Sequence, residues 1–305
     1  MFLVGTKAKP FLKWAGGKTQ LLPEIERRLP FELSVGKIKR YVEPFIGGGA
    51  TFFHLAQFYR FEEIVISDIN LELLIVYKTV KEDVEGLIEQ LNRIKKRFLF
   101  SADREKFYYE QRELFNQNVE KLNFKHFRSS WISRTAQFIF LNHTCFNGLY
   151  RTNSKLYFNV PFGKYAQPAI YDEKNLRAAS DLLQTVEIRQ ADFEACEEYA
   201  DDETFFYFDP PYRPISKTSS FNTYHKGEFT DDDQKRLASC FRGFDAKGAK
   251  LMLSNSDPKN ENPNDEFFDE LYKDFRIERI KASRAINSNG AKRGRISELL
   301  ITNYK

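Results

Sequence analysis

RYVEPFIGGGATFFHLAQFYRFEEIVISD, residues 40–68, decides the fold. RYVEPF is short and β-prone, glycines follow at Gly47, Gly48 and Gly49, ATFFHLAQFY carries apolar residues at helical spacing, and EIVISD is again strand-like. Strand, glycine turn, helix and strand make the repeating unit of a doubly wound sheet. Glycines at such a turn serve a tight bend with φ > 0 or a close approach of backbone to a ligand. Asp68 closes the second strand about twenty residues after the turn, where nucleotide-binding folds place an acid on ribose hydroxyls. Glu43 stands at the head of the turn, and a carboxylate there repels a pyrophosphate and attracts a cation. A ligand with a ribose and a cationic group, such as S-adenosyl-L-methionine, fits that sign better than NAD.

Outward from this unit, the 305 residues are 42% hydrophobic and 15% aromatic, enough for a sizeable core. No run approaches eighteen apolar residues, and MFLVGTKAKPFLKW lacks the apolar length and cleavage site of a signal peptide, so a cytoplasmic protein without membrane contact is expected. Cys145, Cys196 and Cys240 form no CxxC, which points to neither a disulfide framework nor a metal site. A net charge of +4 decides little by itself, but its distribution matters. Lys121, Lys125, Arg128 and Arg134 stand in 121–134 without an acid, as do Arg151, Lys155 and Lys164 in 147–165. The segment 276–295 holds seven Lys or Arg against Glu278 alone. Three basic patches suit a polyanion, although a solvated surface accounts for any one of them.

The turn KWAGGK leads into an apolar-periodic helix expected to reach about Leu29. From about Asn70 to Arg134 the pattern is helical and charged, VEGLIEQLNRIKKRF most clearly, and SRTAQFIFLNHTC continues it. FNGLYRTNSKLYFNVPFGKY (146–165) is punctuated by Asn-Gly, Asn-Ser and Pro and reads as a hairpin or loop. After a helix near 172–184, strands resume at TVEIRQ, TFFYFD, GAKLMLSNS, FRIERIKAS and ISELLITNY. The fold expected is α/β, Rossmann-like, with an inserted helical and hairpin domain at 72–170 between the two parts, 1–71 and 171–305, of the main domain.

FDPPYRP (208–214) ends the apolar run TFFYF. Ligands of open α/β sheets gather beyond the carboxyl ends of the strands. Pro210 and Pro211 have fixed φ and donate no N–H, so the Pro210 carbonyl can be held as an acceptor beside Asp209. Two adjacent acceptors suit one NH2 group, and Tyr212 offers a flat face for a base. An exocyclic amine on a heterocycle is a poor nucleophile because its lone pair is delocalised, and accepting both of its hydrogens frees that pair to attack a methyl sulfonium. An ordinary Pro-rich turn is the bland alternative.

These segments together resemble the Dam-type (D12 class, alpha group) DNA adenine N6-methyltransferases over nearly the whole chain. FLKWAGGK (11–18) resembles the N-terminal cofactor motif, EPFIGGGATFF the glycine motif, SDIN the ribose acid, FDPPY the catalytic motif, 147–165 the recognition hairpin and SRAINSNGAKRGRISELLITNY the C-terminal segment. The resemblance implies a class I methyltransferase using S-adenosyl-L-methionine on double-stranded DNA. A cognate restriction endonuclease would be a functional, not physical, partner. By the same likeness Trp14, Lys18, Glu43, Pro44, Phe45, Gly47, Gly49, Asp68, Asp192, Phe193 and Asp209 contact the cofactor, and Asp209, Pro210, Pro211 and Tyr212 act on the target base.

Members that methylate GATC read bases through an Arg and a Leu of NGLxR, a Pro and a Tyr of NVPxGxY and a Lys before the Trp; the matches here are Arg151, Leu149, Pro161, Tyr165 and Lys13, with Asn147 and Asn159 beside them. Arginine reads guanine O6 and N7, though a phosphate contact is the other reading of Arg151. GATC is therefore the sequence implied. Residues 284–295 read as a basic loop able to close on phosphates. Two alternatives are a cytosine N4-methyltransferase, which uses the same acceptor pair, and a DNA-binding regulator on a retired methyltransferase fold.

Overall fold

The computed structural model of the protein describes residues 6–117, 124, 126–213, 229–283 and 295–305. Strands run over Arg40–Glu43 (β1), Glu63–Asp68 (β2), Val186–Gln190 (β3), Thr204–Phe208 (β4), Lys250–Ser256 (β5), Arg276–Ser283 (β6) and Arg295–Thr302 (β7). The helices, again in chain order, are Leu22–Glu26 (α1), Phe31–Ser34 (α2), Ala50–Phe58 (α3), Leu71–Glu82 (α4), Val84–Leu99 (α5), Arg104–Asn116 (α6), Ser130–Thr144 (α7), Glu173–Leu183 (α8), Asp231–Ala246 (α9) and Phe267–Leu271 (α10).

The described strands form one seven-stranded sheet in the order β3-β2-β1-β4-β5-β7-β6. β1 pairs in parallel with both β2 and β4, and β4 with β5, whereas β7 runs antiparallel to β5 and β6. The order reverses beside β1, which makes the carboxyl ends of β1 and β4 the switch point of a doubly wound sheet. This is the expected α/β architecture.

The chain divides into two compact units. The first contains 1–17, 47–57 and 68–190, and so includes the whole of 72–170; the second contains 18–46, 58–67 and 191–305. In the second unit all five residues of β4 are buried, because both faces of a central parallel strand are covered. Phe206 and Phe208 stack at 5.7 Å, and Phe241 and Phe244 of α9 close over them. Each such ring contributes a few kcal/mol of burial, on the order of 25 cal/mol per Å². Thr230 and Asp233 form a capping box that starts α9.

In the first unit the apolar stripe of α5, Leu87, Ile88, Leu91, Ile94 and Phe98, is buried. Its Phe98 meets Phe140 of α7 edge-on at 5.2 Å. Asn70, Asp83, Asp103 and Asp172 cap α4, α5, α6 and α8 with side-chain oxygens. The expected helix to Leu29 is shorter: α1 starts at Leu22, with Pro23 in its first turn, and ends at Glu26. Pro30 disfavours helical geometry just before it. The segment 146–165 holds two isolated antiparallel bridges, Cys145↔Phe162 and Thr152↔Phe158, with left-handed backbone at Asn147, Leu156 and Lys164. It is a looped hairpin rather than a ladder. Among the described residues no helix is long and apolar enough to cross a membrane.

Candidate active site

In the second unit, β4 ends at Phe208 and Asp209 follows it directly. Nζ of Lys18 lies 2.7 Å from Oδ1 of Asp209, and Lys18 is only 3% exposed. The same ammonium donates to the Tyr212 hydroxyl at 2.7 Å, which in turn donates to Oε2 of Glu298 at 3.0 Å. The Ser254 hydroxyl of β5 donates to the same Oδ1 at 3.1 Å and lies 3.0 Å from the hydroxyl of Tyr207. Among the described residues Oδ2 of Asp209 accepts no hydrogen bond. Pro210 is buried and Pro211 exposed, and Gln234 of α9 donates to the Pro211 carbonyl at 3.3 Å.

Burial alone would lower the Lys18 pKa, but Asp209, with Tyr207, Tyr212 and Glu298, outweighs it and raises the pKa above that of a free lysine. Lys18 is therefore cationic at neutral pH. Burial pushes the Asp209 carboxyl up, and Lys18 and Ser254 hold it back.

Glu43 at the end of β1 is 2% exposed and accepts the Tyr41 hydroxyl. Pro44 beside it is buried. Phe45 packs on Phe193 at 5.5 Å and on Phe229 at 5.6 Å. Asp192 caps the short helical turn that follows it, accepting from Glu194 N at 3.0 Å, and pairs with Arg236 at 3.2 Å.

In the first unit the glycine turn is shaped by the chain's own side chains. Gly47 has φ +46°, and a Cβ there would stand 2.9 Å from Cδ1 of Trp14. Gly49 has φ +72°, and its Cβ would stand 2.6 Å from the Tyr77 hydroxyl, which donates to Gly47 O at 3.1 Å. Trp14 is also stacked on Tyr150 at 5.5 Å. Asp68 accepts from Asn70 N at 2.9 Å and from Gly47 N at 3.4 Å. Desolvation at the strand end outweighs these donors and pushes its carboxyl up to about 6.

The recognition candidates also gather in the first unit. Lys13, Asn147, Leu149, Arg151, Pro161 and Tyr165 are exposed, and Asn159 is half-buried. Lys13 Nζ lies 5.3 Å from the Tyr165 ring centroid, and Asn147 N donates to the Tyr165 hydroxyl at 3.0 Å. Arg151 donates to Asn159 Oδ1 at 2.9 Å, and Phe146 N to Pro161 O at 2.9 Å.

The other basic patches change in character. Arg134 is paired with Glu72 and donates to Phe115 O at 2.8 Å, so it braces helices rather than facing a polyanion. Arg276 and Arg279 pair with Glu278, Asp257 and Asp269. Lys121, Lys125 and residues 284–294 of the basic C-terminal loop lie outside the described residues. Tyr207, Ser254, Glu298 and the buried Asn142 were not singled out in the sequence. Their signal is a polar residue inside an apolar run, which is costly to bury unless it is bonded.

The description "D12 class N6 adenine-specific DNA methyltransferase" matches residues 14–286. The chain is 53% identical over 302 residues to Type II methyltransferase M.MjaIII of Methanocaldococcus jannaschii, across 98% of this chain and 100% of that one. It is 39% identical to Type II methyltransferase M1.LlaDCHI of Lactococcus lactis subsp. cremoris, across 97% and 95%. It is 33% identical to the DNA adenine methylase of Escherichia coli (strain K12), across 96% and 95%. Likeness over nearly full length to an adenine-specific class decides between the adenine and cytosine readings of the acceptor pair, and the chain belongs to the D12 class of N6 adenine-specific DNA methyltransferases.

Proposed function

We propose that the protein transfers a methyl group from S-adenosyl-L-methionine to N6 of an adenine flipped out of duplex DNA, within GATC. The observation that carries the chemistry is the state of Asp209. Lys18 and Ser254 both occupy Oδ1, so the carboxylate is fixed and Oδ2 remains for one hydrogen of an amine. The Pro210 carbonyl takes the other hydrogen, and Tyr212 stacks on the base. Donating both hydrogens to these acceptors draws the N6 lone pair out of the ring, so the amine itself would be the nucleophile; forming the N–CH3 bond would break the S–CH3 bond, leave the neutral thioether S-adenosylhomocysteine, and release one N6 proton to solvent. No covalent enzyme intermediate is needed. Burial pushes the Cys145 thiol up to about 11, which keeps it unreactive.

The residues present fit the cofactor. S-adenosyl-L-methionine supplies, when bound, an electrophilic methyl on a sulfonium. Asp68 accepts from the backbone of Gly47, Ile69 and Asn70 and retains lone pairs for ribose hydroxyls. The buried Glu43 carboxylate has the sign to attract a cationic group. Trp14, Pro44, Phe45, Gly47, Gly49, Asp192 and Phe193 are the remaining contacts, with Phe193 and Asp192 on the adenine. Lys18 serves the cofactor through Asp209 and Tyr212. Residues 72–170 act as the target-recognition insertion, and 1–71 with 171–305 as the methyl-transfer domain. The exposed Lys13, Asn147, Leu149, Arg151, Asn159, Pro161 and Tyr165 meet the DNA.

The test is transfer of labelled methyl from S-adenosyl-L-methionine to matched unmethylated duplexes, one with GATC intact and others changed at single positions. Label in N6-methyladenine of the intact duplex alone is expected. Equal labelling of every duplex would remove GATC, and no labelling with DNA binding retained would remove the mechanism.

A further inference from the structure

Asn142 sits in α7 within the apolar run Phe138-Ile139-Phe140-Leu141 and is 1% exposed. A primary amide in that place is tolerated only if its donors and acceptor are used. They are used on backbone from two distant segments. Oδ1 accepts from Lys13 N at 2.8 Å, while Nδ2 donates to Lys13 O at 2.9 Å and to Gly148 O at 3.3 Å. One side chain thus ties residue 13 to the turn that opens the hairpin.

Gly148 adds a second constraint from the other side. It has φ +61°, and a Cβ there would lie 2.3 Å from Cδ of Lys13 and 3.0 Å from its Cβ. The Lys13 side chain therefore passes directly over Gly148. It ends 5.3 Å from the ring of Tyr165, whose hydroxyl accepts from Asn147 N at 3.0 Å.

We infer that Asn142 is a specificity-positioning residue: its amide fixes the backbone of Lys13 to Gly148, so that Lys13 and Tyr165 are presented to DNA as one rigid reading surface. The inference rests on the reading of Lys13 as a base contact. A side chain aimed at a base edge must be held closely, since hydrogen bonds weaken steeply with angle. An exposed lysine on a flexible stem cannot supply that order itself. Asn142 touches no nucleotide in this scheme and acts only through the residues it holds.

The experiment measures kcat/KM of the full chain on the GATC duplex and on duplexes changed at one position, for Lys13→Ala, Asn142→Asp, Gly148→Ala and the doubles with Lys13→Ala. Asn142→Asp keeps the acceptor for Lys13 N and loses both donors. Lys13→Ala should lower discrimination at one base pair by about 10- to 100-fold. Asn142→Asp should lower it at the same pair, with no further loss in the double variant and unchanged cofactor affinity. Additive losses, or an equal fall on all duplexes, overturn the inference. If Asn142→Asp does not fold, Gly148→Ala leaves the amide in place and must show the same non-additivity with Lys13→Ala. Relaxed discrimination in Lys13→Ala with none in Asn142→Asp or Gly148→Ala overturns the positioning role alone. Unchanged discrimination in Lys13→Ala overturns the base contact, and the positioning role with it.

Discussion

The Lys18 ammonium is bonded to Oδ1 of Asp209 at 2.7 Å, and it is the nearly fully buried partner of the two, at 3% against 20% exposure. In the proposed role Asp209 receives the amine as a carboxylate, and the buried cation beside it opposes the upward push of burial, favouring an acceptor over a proton abstractor. The groups around it are Ser254, Tyr207, Tyr212 and Glu298. Lys18→Met removes the attraction and leaves desolvation to act on Asp209, so its pKa moves further up. The acid limb of the pH profile for methyl transfer should shift to higher pH. Loss at neutral pH should be partly rescued by Lys18→Arg. An unchanged acid limb in Lys18→Met would refute this role.

Tyr212 receives one hydrogen bond from Lys18 and gives one to Glu298. The ring held between them is the proposed stacking face. Glu298→Ala removes the bond from Tyr212, and Tyr212→Phe removes that bond together with the one from Lys18, so Glu298→Ala should cost kcat roughly 10-fold, about 1.4 kcal/mol, and Tyr212→Phe at least as much, with little change in KM for cofactor. The double variant should be no worse than Tyr212→Phe alone. Glu298→Gln retains an acceptor and should lose less. Multiplying losses in the double variant would show that the two residues act separately.

Much of this was legible in the chain. EIVISD reads as a strand and is β2, Glu63–Asp68, and the glycine turn before ATFFHLAQFY stands where expected. Those elements carry their own periodicity and punctuation. Lys18, Asp209, Ser254 and Glu298 belong to four separated segments, and no local pattern tells which apolar run ends beside which. The sequence also could not show that Gly47 and Gly49 are required by Trp14 and Tyr77, since that depends on tertiary contact. The pairing of Arg134 was hidden for the same reason: its counter-charge, Glu72, is remote in sequence.

Asp68 gives a pH dependence of opposite sense for binding and stability. Its folded pKa of about 6 exceeds the ordinary aspartate value of 3.8, so the folded state holds the proton more tightly. Its contribution to stability is full below about 3.8 and is lost as pH rises through about 6, with an upper bound of about 3 kcal/mol. In its proposed role Asp68 holds the ribose as a carboxylate, so cofactor affinity should fall as pH drops below about 6. Asp68→Asn should therefore bind cofactor more weakly at pH 7.5 yet melt at a higher temperature without it. Calorimetric titration and thermal melts from about pH 5 to 8 check both. A lower melting temperature for the variant at pH 7.5 would contradict the assignment.

Arg151 separates base reading from phosphate contact. Its guanidinium donates through Nε to Asn159 Oδ1 at 2.9 Å, which restrains the fork. A guanidinium restrained in this way can read guanine O6 and N7 as a bidentate pair, which contributes about 1–3 kcal/mol of discrimination. Arg151→Ala should relax selectivity at one guanine by about 10- to 100-fold while leaving the salt dependence of binding to unrelated duplexes nearly unchanged. Asn159→Ala should give a smaller loss at the same position, because it frees the fork without removing it. Methyl transfer across the single-position duplexes at two salt concentrations measures both. A loss uniform over all duplexes, with a shallower salt slope, would place Arg151 on a phosphate instead.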